Sequence, residues 1–382
     1  MISRFLSSNI KERLNKGKVI VLVGPRQVGK STLVFSLLKE TEFLFLDGDD
    51  SVVAETLANA NTETLKNIIG DYKYLFIDEV QRIPNIGLKL KIIVDQIKDV
   101  QVIVSGSSAF DINHATQEPL TGRKFEYHLY PISWNEFEKN VGYMKAQQQL
   151  EIRLLYGMYP DVITNLGNEF EILKNLVSSY LYKDILSLAG IRKSEVLEKI
   201  LQALAFQIGS EVSYNEIAQL VGVDKNTVSN YIDLLEKSFV IFRLNSFSRN
   251  HRNEIKANKK IYFYDTGVRN MLIGNFNFME FRQDKGALWE NFLIAERMKL
   301  LSYENRNAKP YFWRTTQQQE VDYVETVDEE VNAFEIKWKV KKAKLPKPFL
   351  DNYQGSFTIV TAENFRDFLK LFFGFFYLLS LF

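Results

Sequence analysis

Cysteine is absent from this sequence of 382 residues, and histidine is scarce, with only three residues. The lack of cysteine excludes disulfide bonds, thiolate zinc sites, iron–sulfur clusters and cysteine nucleophiles. Three histidines leave little material for a metal site built on imidazole ligands. The remaining composition, with 46% hydrophobic and 25% charged residues, is that of an ordinary globular protein.

An excess of one charge sign is also missing, because 48 Lys and Arg residues balance 47 Asp and Glu residues to a net charge of +1. Any binding to nucleic acid would therefore depend on local basic patches. The N-terminal residues lack the apolar run of a signal peptide. The apolar segment at 371–382 is about half as long as a membrane span requires, so we expect no integral membrane span and a cytoplasmic location. This segment is interpreted either as a buried terminal element or as a surface for self-association or membrane contact.

Short apolar runs alternate with helical patterns in the first third of the chain. The runs lie at 18–24, 43–47, 74–78 and 101–105, and helical patterns lie at 52–69 and 86–98. Strands that alternate with helices predict an α/β fold with a parallel sheet. Near residue 133 the pattern changes to helices, and beyond 286 it becomes a helix followed by several strands. We predict three domains, at 1–140, 141–265 and 266–382.

A phosphate-binding loop is predicted at the end of the first strand. Residues 24–31 satisfy the pattern G-x-x-x-x-G-K-[ST], between a predicted strand and a predicted helix. In this context the backbone N–H groups wrap around a phosphate, Lys30 reaches the β- and γ-phosphates, and Ser31 coordinates Mg²⁺. The predicted nucleotide contacts are Gly24, Pro25, Arg26, Gln27, Val28, Gly29, Lys30, Ser31 and Thr32.

Acidic residues end the third predicted strand, at Asp78 and Glu79. Asp78 is placed to hold Mg²⁺, and Glu79 is placed to orient and deprotonate an attacking water. Together they favour hydrolysis over nucleotide binding alone. The sequence has no N/T-K-x-D motif for reading guanine, which favours ATP over GTP.

Two further positions are candidates for the hydrolytic step. Ser105 or Ser107, at the tip of the fourth strand, could contact the γ-phosphate or the attacking water, and the alternative is a polar turn. Arg123 could stabilise transition-state charge, either within one chain or from a neighbouring subunit of a homo-oligomer. Its alternative is a surface or structural arginine.

Six segments carry a resemblance that spans nearly the whole chain. They read GPRQVGKST, YLFIDEVQRIP, VIVSGSS, LTGRKFEYHLYPISWNEF, YDTGVRNML and LWENFLIAE, in this order. Together they resemble the large bacterial and archaeal family of AAA-type P-loop ATPases with an attached C-terminal domain of unknown function. The resemblance implies an AAA-type ATPase core at the front and little about the biological role. The apolar segment after residue 370 departs from the family's usual ending.

A winged helix-turn-helix is predicted in the middle of the chain. Ser213 and Glu216 form a capping-box pattern, Gly222 supplies the turn, and Asp224 begins a second helix that runs to about Lys237. Strand patterns at 240–244 and 261–264 flank a basic loop at 248–260, which is typical of a wing.

The winged helix predicts contacts with double-stranded DNA. The candidate contacts are Lys225, Asn226 and Ser229 on the second helix and Arg249 and Arg252 in the wing. Asp233 and Glu236 reduce the positive charge of that helix. Winged helices in AAA-type ATPases also serve as lids or protein-interaction domains, so a protein partner is an equal alternative.

A set of acidic residues with one lysine is predicted in the C-terminal part. Asp322 lies on a strand-like run, and Glu335 and Lys337 are two residues apart, so they share one face of the next strand. With Glu290 on the helix predicted at 286–301, they resemble the D…E-x-K core of the PD-(D/E)XK nuclease fold. Such carboxylates hold Mg²⁺ and the lysine orients water. We predict a restriction-endonuclease-like α/β domain, either an active nuclease or an inactive module that packs or binds DNA.

Three functions follow from these patterns. The first is an Mg²⁺-dependent ATPase coupled to DNA or protein binding. The second is a nucleotide-gated switch with little turnover, and the third is an ATP-regulated nuclease.

Overall fold

The computed structural model describes residues 2–107, 119–178, 194–248, 259–305, 307–327, 330–339 and 344–370. Its first part is a five-stranded sheet, formed by β1 (Val19–Val23), β2 (Leu44–Asp47), β3 (Tyr74–Asp78), β4 (Gln101–Gly106) and β5 (Lys124–His128). The order across the sheet is β2-β3-β4-β1-β5, and each neighbouring pair is parallel. The carboxyl ends of all five strands therefore meet at one edge. The predicted α/β fold with a parallel sheet is confirmed.

Helices pack around this sheet, and their bounds are α1 (Leu6–Arg13), α2 (Lys30–Leu37), α3 (Ser51–Asn59), α4 (Thr62–Ile69) and α5 (Ile86–Gln96). The helical stretch predicted at 52–69 is present and consists of two helices, α3 and α4. Ala60 adopts an extended backbone, and the Asn61 side chain accepts a hydrogen bond from the Thr64 N–H at 2.8 Å. Asn61 thus caps a new helix instead of continuing the old one.

The middle of the chain is helical, with α6 (Trp134–Val141), α7 (Tyr143–Tyr156), α8 (Pro160–Thr164), α9 (Glu169–Leu176), α10 (Ser194–Phe206), α11 (Tyr214–Val221) and α12 (Lys225–Lys237). The Ser213 and Asp224 side chains accept hydrogen bonds from N–H groups at the starts of α11 and α12. Between these helices Gly222 has a φ of 79°, a left-handed conformation that glycine adopts without strain. The tight turn predicted between these two helices is therefore present.

A second sheet has seven strands, namely β6 (Glu211–Val212), β7 (Ile241–Ser246), β8 (Lys259–Phe263), β9 (Ala308–Arg314), β10 (Glu320–Val327), β11 (Glu330–Ile336) and β12 (Gly355–Val360). Their order is β12-β11-β10-β9-β7-β8-β6. The helices of this part are α13 (Thr266–Ile273), α14 (Lys285–Tyr303), α15 (Lys347–Asn352) and α16 (Phe365–Phe368). Because β7 pairs with β9, this sheet continues across the predicted boundary between the middle and C-terminal domains.

Helix α14 lies at the centre of the C-terminal part. It packs with α6, α7 and the strands of the second sheet in one hydrophobic core, which includes Trp134, Leu154, Trp289 and Phe334. The last turn of α14 reaches the first sheet, where Tyr303 joins the core of that part. The helix therefore connects both sheets.

Some predictions fall on residues that the structure does not describe. Arg249, Arg252 and the rest of the basic loop at 249–258 lie outside the described residues, as do the continuation of the predicted helix 168–188 beyond 178 and the apolar segment at 371–382. Among the helices of the described part, none combines the length and apolarity needed to cross a membrane.

Candidate functional site

The loop between β1 and α2 has a backbone that requires its two glycines. A Cβ atom on Gly24 would lie 2.0 Å from the backbone oxygen of Leu129, which leaves no room for a side chain. Gly29 has a φ of 90° and directly precedes the first residue of α2. The loop thus turns tightly into a helix N-terminus, where free N–H groups and the helix dipole favour an anion.

Lys30 lies inside this loop. Its side chain is buried, and its Nζ donates to the backbone oxygens of Gly24 at 2.9 Å and Pro25 at 3.0 Å. Burial lowers the pKa of Lys30 to about 8, while the negative charges of Glu79 and Asp78 act in the opposite direction. An ammonium group is therefore held where the loop would enclose phosphates.

The Asp78 carboxylate connects the phosphate loop with two strands of the sheet. It ends β3 and accepts hydrogen bonds from the hydroxyls of Ser31 in α2 and Ser105 in β4. A carboxylate and a hydroxyl in contact are oxygen ligands of the kind that Mg²⁺ uses beside nucleotide phosphates. The residues present therefore fit a phosphate-bound magnesium ion, and Ser105 helps to orient the carboxylate.

Glu79 follows with an unusual backbone, since its φ of 45° lies in the left-handed region. Its Oε2 accepts a hydrogen bond from Gln81 Nε2 at 2.5 Å, and the same amide donates to Ser107 Oγ at 3.2 Å. Sequence reasoning did not identify Gln81. Its only signal was its position two residues after an acidic pair at a strand end.

Arg123 lies far from these groups. Its backbone oxygen accepts the Val19 N–H at 2.9 Å, which places it at the start of β1, whereas the phosphate loop follows the end of that strand. Five strand residues separate the two edges by roughly 15 Å. The half-exposed guanidinium pairs with Asp95 at 2.8 Å. A role for Arg123 within the same chain is therefore wrong, and a role from a neighbouring subunit stays a prediction.

A mainly apolar cavity of about 540 Å³ opens beside the phosphate loop. It is bounded by the N-terminal segment, the loop with the first turns of α2, and the start of α8; its walls include Ile2, Arg4, Val28, Gly29, Thr32, Leu33, Ile132 and Pro160. Small-molecule sites are typically concave and apolar with a few polar groups, and the volume suffices for a nucleoside.

The predicted C-terminal residues are partly brought together. Lys337 Nζ lies 2.6 Å from Glu335 Oε1 and 3.5 Å from Asp322 Oδ2, and Asp322 also accepts the Ile336 N–H at 2.8 Å. The adjacency predicted from the hairpin is thus present.

Four carboxylates, called the acidic cluster, interact electrostatically in this part of the protein: Glu290, Glu320, Asp322 and Glu335. Sequence reasoning missed Lys260, which lies in this cluster. Lys260 is fully buried on β8, and its Nζ contacts Glu320 and lies 3.1 Å from Glu290 Oε1. The Tyr262 hydroxyl donates to the same Glu290 oxygen at 2.6 Å, and burial raises the pKa of Glu290 to about 7. In the described ranges, no three Asp, Glu or His side chains are arranged to hold a metal ion. A metal site here stays a prediction that requires Lys260 to move.

The candidate DNA-contacting face of α12 is only partly open. Lys225 and Asn226 are exposed, and Ser229 is half-buried. Asp233 pairs with Arg243 Nη1 at 2.6 Å, and Glu236 accepts from Arg243 Nε at 2.8 Å. Arg243 on β7 therefore offsets the negative charge of these two carboxylates. They reduce the positive charge of α12 less than the sequence suggested.

Three family models match successive parts of the chain. Residues 16–138 match a model described as AAA domain, and residues 147–278 and 285–366 match two domains of unknown function, DUF8612 and DUF4143. The first part of the chain is thus similar to an AAA domain, and the C-terminal part is similar to DUF4143. The AAA match supports ATP binding and hydrolysis in general.

Similar proteins occur in bacteria and archaea. An uncharacterized protein of Mycobacterium tuberculosis is 27% identical over 340 residues, which cover 87% of this chain and 73% of that protein. An uncharacterized protein of Methanocaldococcus jannaschii is 23% identical over 346 residues, covering 84% and 75%. A Walker-type ATPase of Pyrococcus abyssi is similar in structure with a TM-score of 0.48 at 15% identity, covering 72% of this chain and 96% of that one.

Proposed function

We propose that this protein is an Mg²⁺-dependent ATPase whose nucleotide cycle is coupled to the binding of duplex DNA, with a protein partner as the alternative. The observation that carries the proposal is the contact of Asp78 with Ser31, beside the buried Lys30. These three groups supply a carboxylate, a hydroxyl and an ammonium at the N-terminus of α2. The ammonium complements the negative phosphates of a nucleoside triphosphate, and the carboxylate and hydroxyl complement its metal ion.

In this proposal the base and ribose enter the apolar cavity, and the phosphates follow the loop 24–29. Lys30 exchanges its two backbone acceptors for phosphate oxygens. Asp78 and Ser31 hold the magnesium ion, which offsets negative charge on the phosphate oxygens when bound. Ser105 keeps the Asp78 carboxylate in position through its hydroxyl.

Glu79 is the base in the proposed reaction. A water oxygen forms a bond to the γ-phosphorus, the bond from that phosphorus to the bridging oxygen breaks, and ADP leaves with the bond electrons. The Glu79 carboxylate takes up the water proton. Steady-state ATP hydrolysis should therefore be lost in Lys30→Ala and reduced at least a hundredfold in Glu79→Gln, while Glu79→Gln still binds ATP. Normal turnover in Lys30→Ala would contradict the proposed ATPase activity.

DNA coupling is supported by the exposed Lys225 and Asn226 and by the helix-turn-helix arrangement of α11 and α12. The test is ATP turnover with and without duplex DNA, beside the Glu79→Gln variant. Strong stimulation by DNA supports a DNA-dependent motor or loader. Turnover below about one per minute that does not respond to DNA favours a nucleotide-gated switch, since typical enzymes reach about ten per second.

A nuclease is the second candidate, carried by the contacts of Lys337 with Glu335 and Asp322. Incubation of plasmid DNA with Mg²⁺ or Mn²⁺ tests it. Cleavage that disappears in Asp322→Ala supports this site, and cleavage that survives the substitution excludes it. The position of Lys260 among the carboxylates argues for weak or absent cleavage.

A further inference from the structure

Arg4 is a buried arginine that lies before α1 and contacts the phosphate loop. Its Nη1 donates to the backbone oxygen of Val28 at 2.8 Å, and its Nη2 donates to the backbone oxygen of Tyr130 at 2.6 Å. Its Nε lies 3.2 Å from Glu136 Oε1. Three segments that are distant in sequence therefore meet at the Arg4 guanidinium: the phosphate loop at Val28, the stretch from Tyr130 to Glu136, and Tyr303.

The Val28 carbonyl matters because it shares a peptide plane with the N–H of Gly29. The peptide group is planar and trans, so a donor that fixes the C=O direction also fixes the N–H in the opposite direction. Gly29 lies in the phosphate loop, whose N–H groups are the predicted phosphate donors. Arg4 thus determines where this N–H points without contacting a phosphate itself.

Tyr303 connects the same arginine to the C-terminal part. Arg4 Nη2 donates to the Tyr303 hydroxyl oxygen at 3.3 Å, and the Tyr130 N–H donates to that oxygen at 3.2 Å. Tyr303 is the last residue of α14, and its backbone oxygen accepts from Asn9 Nδ2 at 2.7 Å. The same helix carries Glu290 of the acidic cluster, about 20 Å away at 1.5 Å per residue.

We propose that Arg4 is a positioning residue for the phosphate loop and that its contact with Tyr303 couples nucleotide binding to the position of α14. The proposal rests on the proposed ATP binding. It follows that a ligand of the C-terminal part that displaces α14 changes the affinity for ATP. By thermodynamic linkage, ATP then changes the affinity for that ligand by the same factor.

Tyr303 offers a mild substitution for testing this coupling. In the described part of the chain it does not line the cavity beside the phosphate loop. Tyr303→Phe removes one oxygen and leaves the contacts of Arg4 with Val28, Tyr130 and Glu136. Tyr323→Phe is a matched control, because Tyr323 is also a buried tyrosine of the C-terminal part, and its hydroxyl donates to Glu325 Oε2 at 3.0 Å.

The experiment is calorimetric titration of the full chain with the slowly hydrolysed analogue ATPγS in the presence of Mg²⁺. Thermal denaturation of each variant is measured in parallel. We expect Tyr303→Phe to raise the Kd about fivefold, which is the lower range of site-to-site coupling, and Tyr323→Phe to leave it unchanged. Arg4→Lys should raise the Kd further, since an ammonium cannot satisfy the separated acceptors of a guanidinium fork. The double variant of Arg4→Lys with Tyr303→Phe should bind no more weakly than Arg4→Lys alone.

Each other result has a distinct meaning. A wild-type Kd in Tyr303→Phe overturns the coupling, even if Arg4→Lys binds weakly. An equal rise in Tyr323→Phe also overturns it, because the effect is then a general loss of stability. Absence of ATPγS binding in the wild-type chain contradicts the proposed ATPase function itself, and the coupling with it. If Arg4→Lys does not fold, the two tyrosine variants still decide the question.

Discussion

Gln81 Nε2 lies 2.5 Å from Glu79 Oε2, and the amide also donates to Ser107 Oγ at 3.2 Å. The side-chain oxygen of Gln81, Oε1, is buried and has no hydrogen-bond partner among the described residues. The amide therefore orients the carboxylate that the proposed hydrolysis uses as base.

Gln81→Ala should accordingly lower the kcat of ATP hydrolysis about tenfold and leave the KM for ATP within about twofold, because a misplaced catalytic group loses rate without losing substrate contacts. Steady-state kinetics measure both values. Gln96→Ala, at an exposed position on α5, is the control. An unchanged kcat in Gln81→Ala would show that Glu79 does not depend on this hydrogen bond.

Ser105→Ala should change the magnesium dependence of turnover. The substitution removes one of the two hydroxyls that donate to Asp78, so the carboxylate is held less firmly toward Ser31. We expect the Mg²⁺ concentration for half-maximal ATP turnover to rise about tenfold, the lower limit for loss of a residue that orients a metal ligand. Ser8→Ala, on the exposed side of α1, should not change it. If Ser107→Ala shifts this value and Ser105→Ala does not, the assignment to Ser105 is wrong.

Lys260→Met should destabilise the C-terminal part. The substitution removes the buried cation that contacts Glu290 and Glu320, and breaking a buried pair costs about 3–5 kcal/mol because a charge is left uncompensated. Urea denaturation at neutral pH measures the loss. Lys370→Met is the control, since Lys370 pairs with Asp367 at the surface, where such pairs contribute about 1 kcal/mol or less. A loss no larger than that of the control would mean that the cluster does not need this cation.

The Glu126 carboxyl group should stabilise the folded protein in a way that acid removes. The hydrogen bond with His128, together with Lys124, lowers the pKa of Glu126 to about 2. A carboxyl group with a lowered pKa in the folded state stabilises it above the ordinary value near 4.5, and this contribution is lost as the pH falls to 2.

The wild-type chain should therefore be more stable than Glu126→Gln by about 1–2 kcal/mol at pH 7, and the difference should disappear toward pH 2. Denaturation curves across this range measure it. Glu63→Gln, on the exposed face of α4, should show no such trend. A difference that persists at pH 2 would rule out ionisation of Glu126 as its cause.

Duplex DNA binding should depend on basic residues of α12 and of the wing predicted at 248–260. The double variant of Arg249→Ala with Arg252→Ala should weaken binding and reduce the slope of log K against log salt concentration by the amount expected for about two phosphate contacts. Lys225→Ala should reduce this slope by the amount expected for about one contact. Fluorescence anisotropy at several salt concentrations measures both quantities. Lys66→Ala, exposed on α4, is the control. Unchanged affinity and salt dependence in both the double variant and Lys225→Ala would exclude this surface and favour a protein partner.

The sequence determined the parts of the nucleotide site that are local in the chain. The loop 24–31 joins a strand to a helix within eight residues, and Asp78 follows its own apolar strand, so spacing and strand pattern suffice to predict both. The parallel sheet is also predictable, because strands that alternate with helices can be connected in only a few topologies. Even the contact of Lys337 with Glu335 was predictable from their separation by two residues.

Tertiary structure alone decided the contacts between distant segments. Arg4 and Tyr303 are 299 residues apart, and no spacing pattern indicates that α14 ends beside Arg4. Lys260 lies in the acidic cluster because β7, the neighbour of β8, pairs with β9. Arg123 lies away from the phosphate loop because the start of β5 pairs with the start of β1. Such positions are set by the packing of buried side chains across the whole core, and a residue's neighbours in the chain carry no information about that packing.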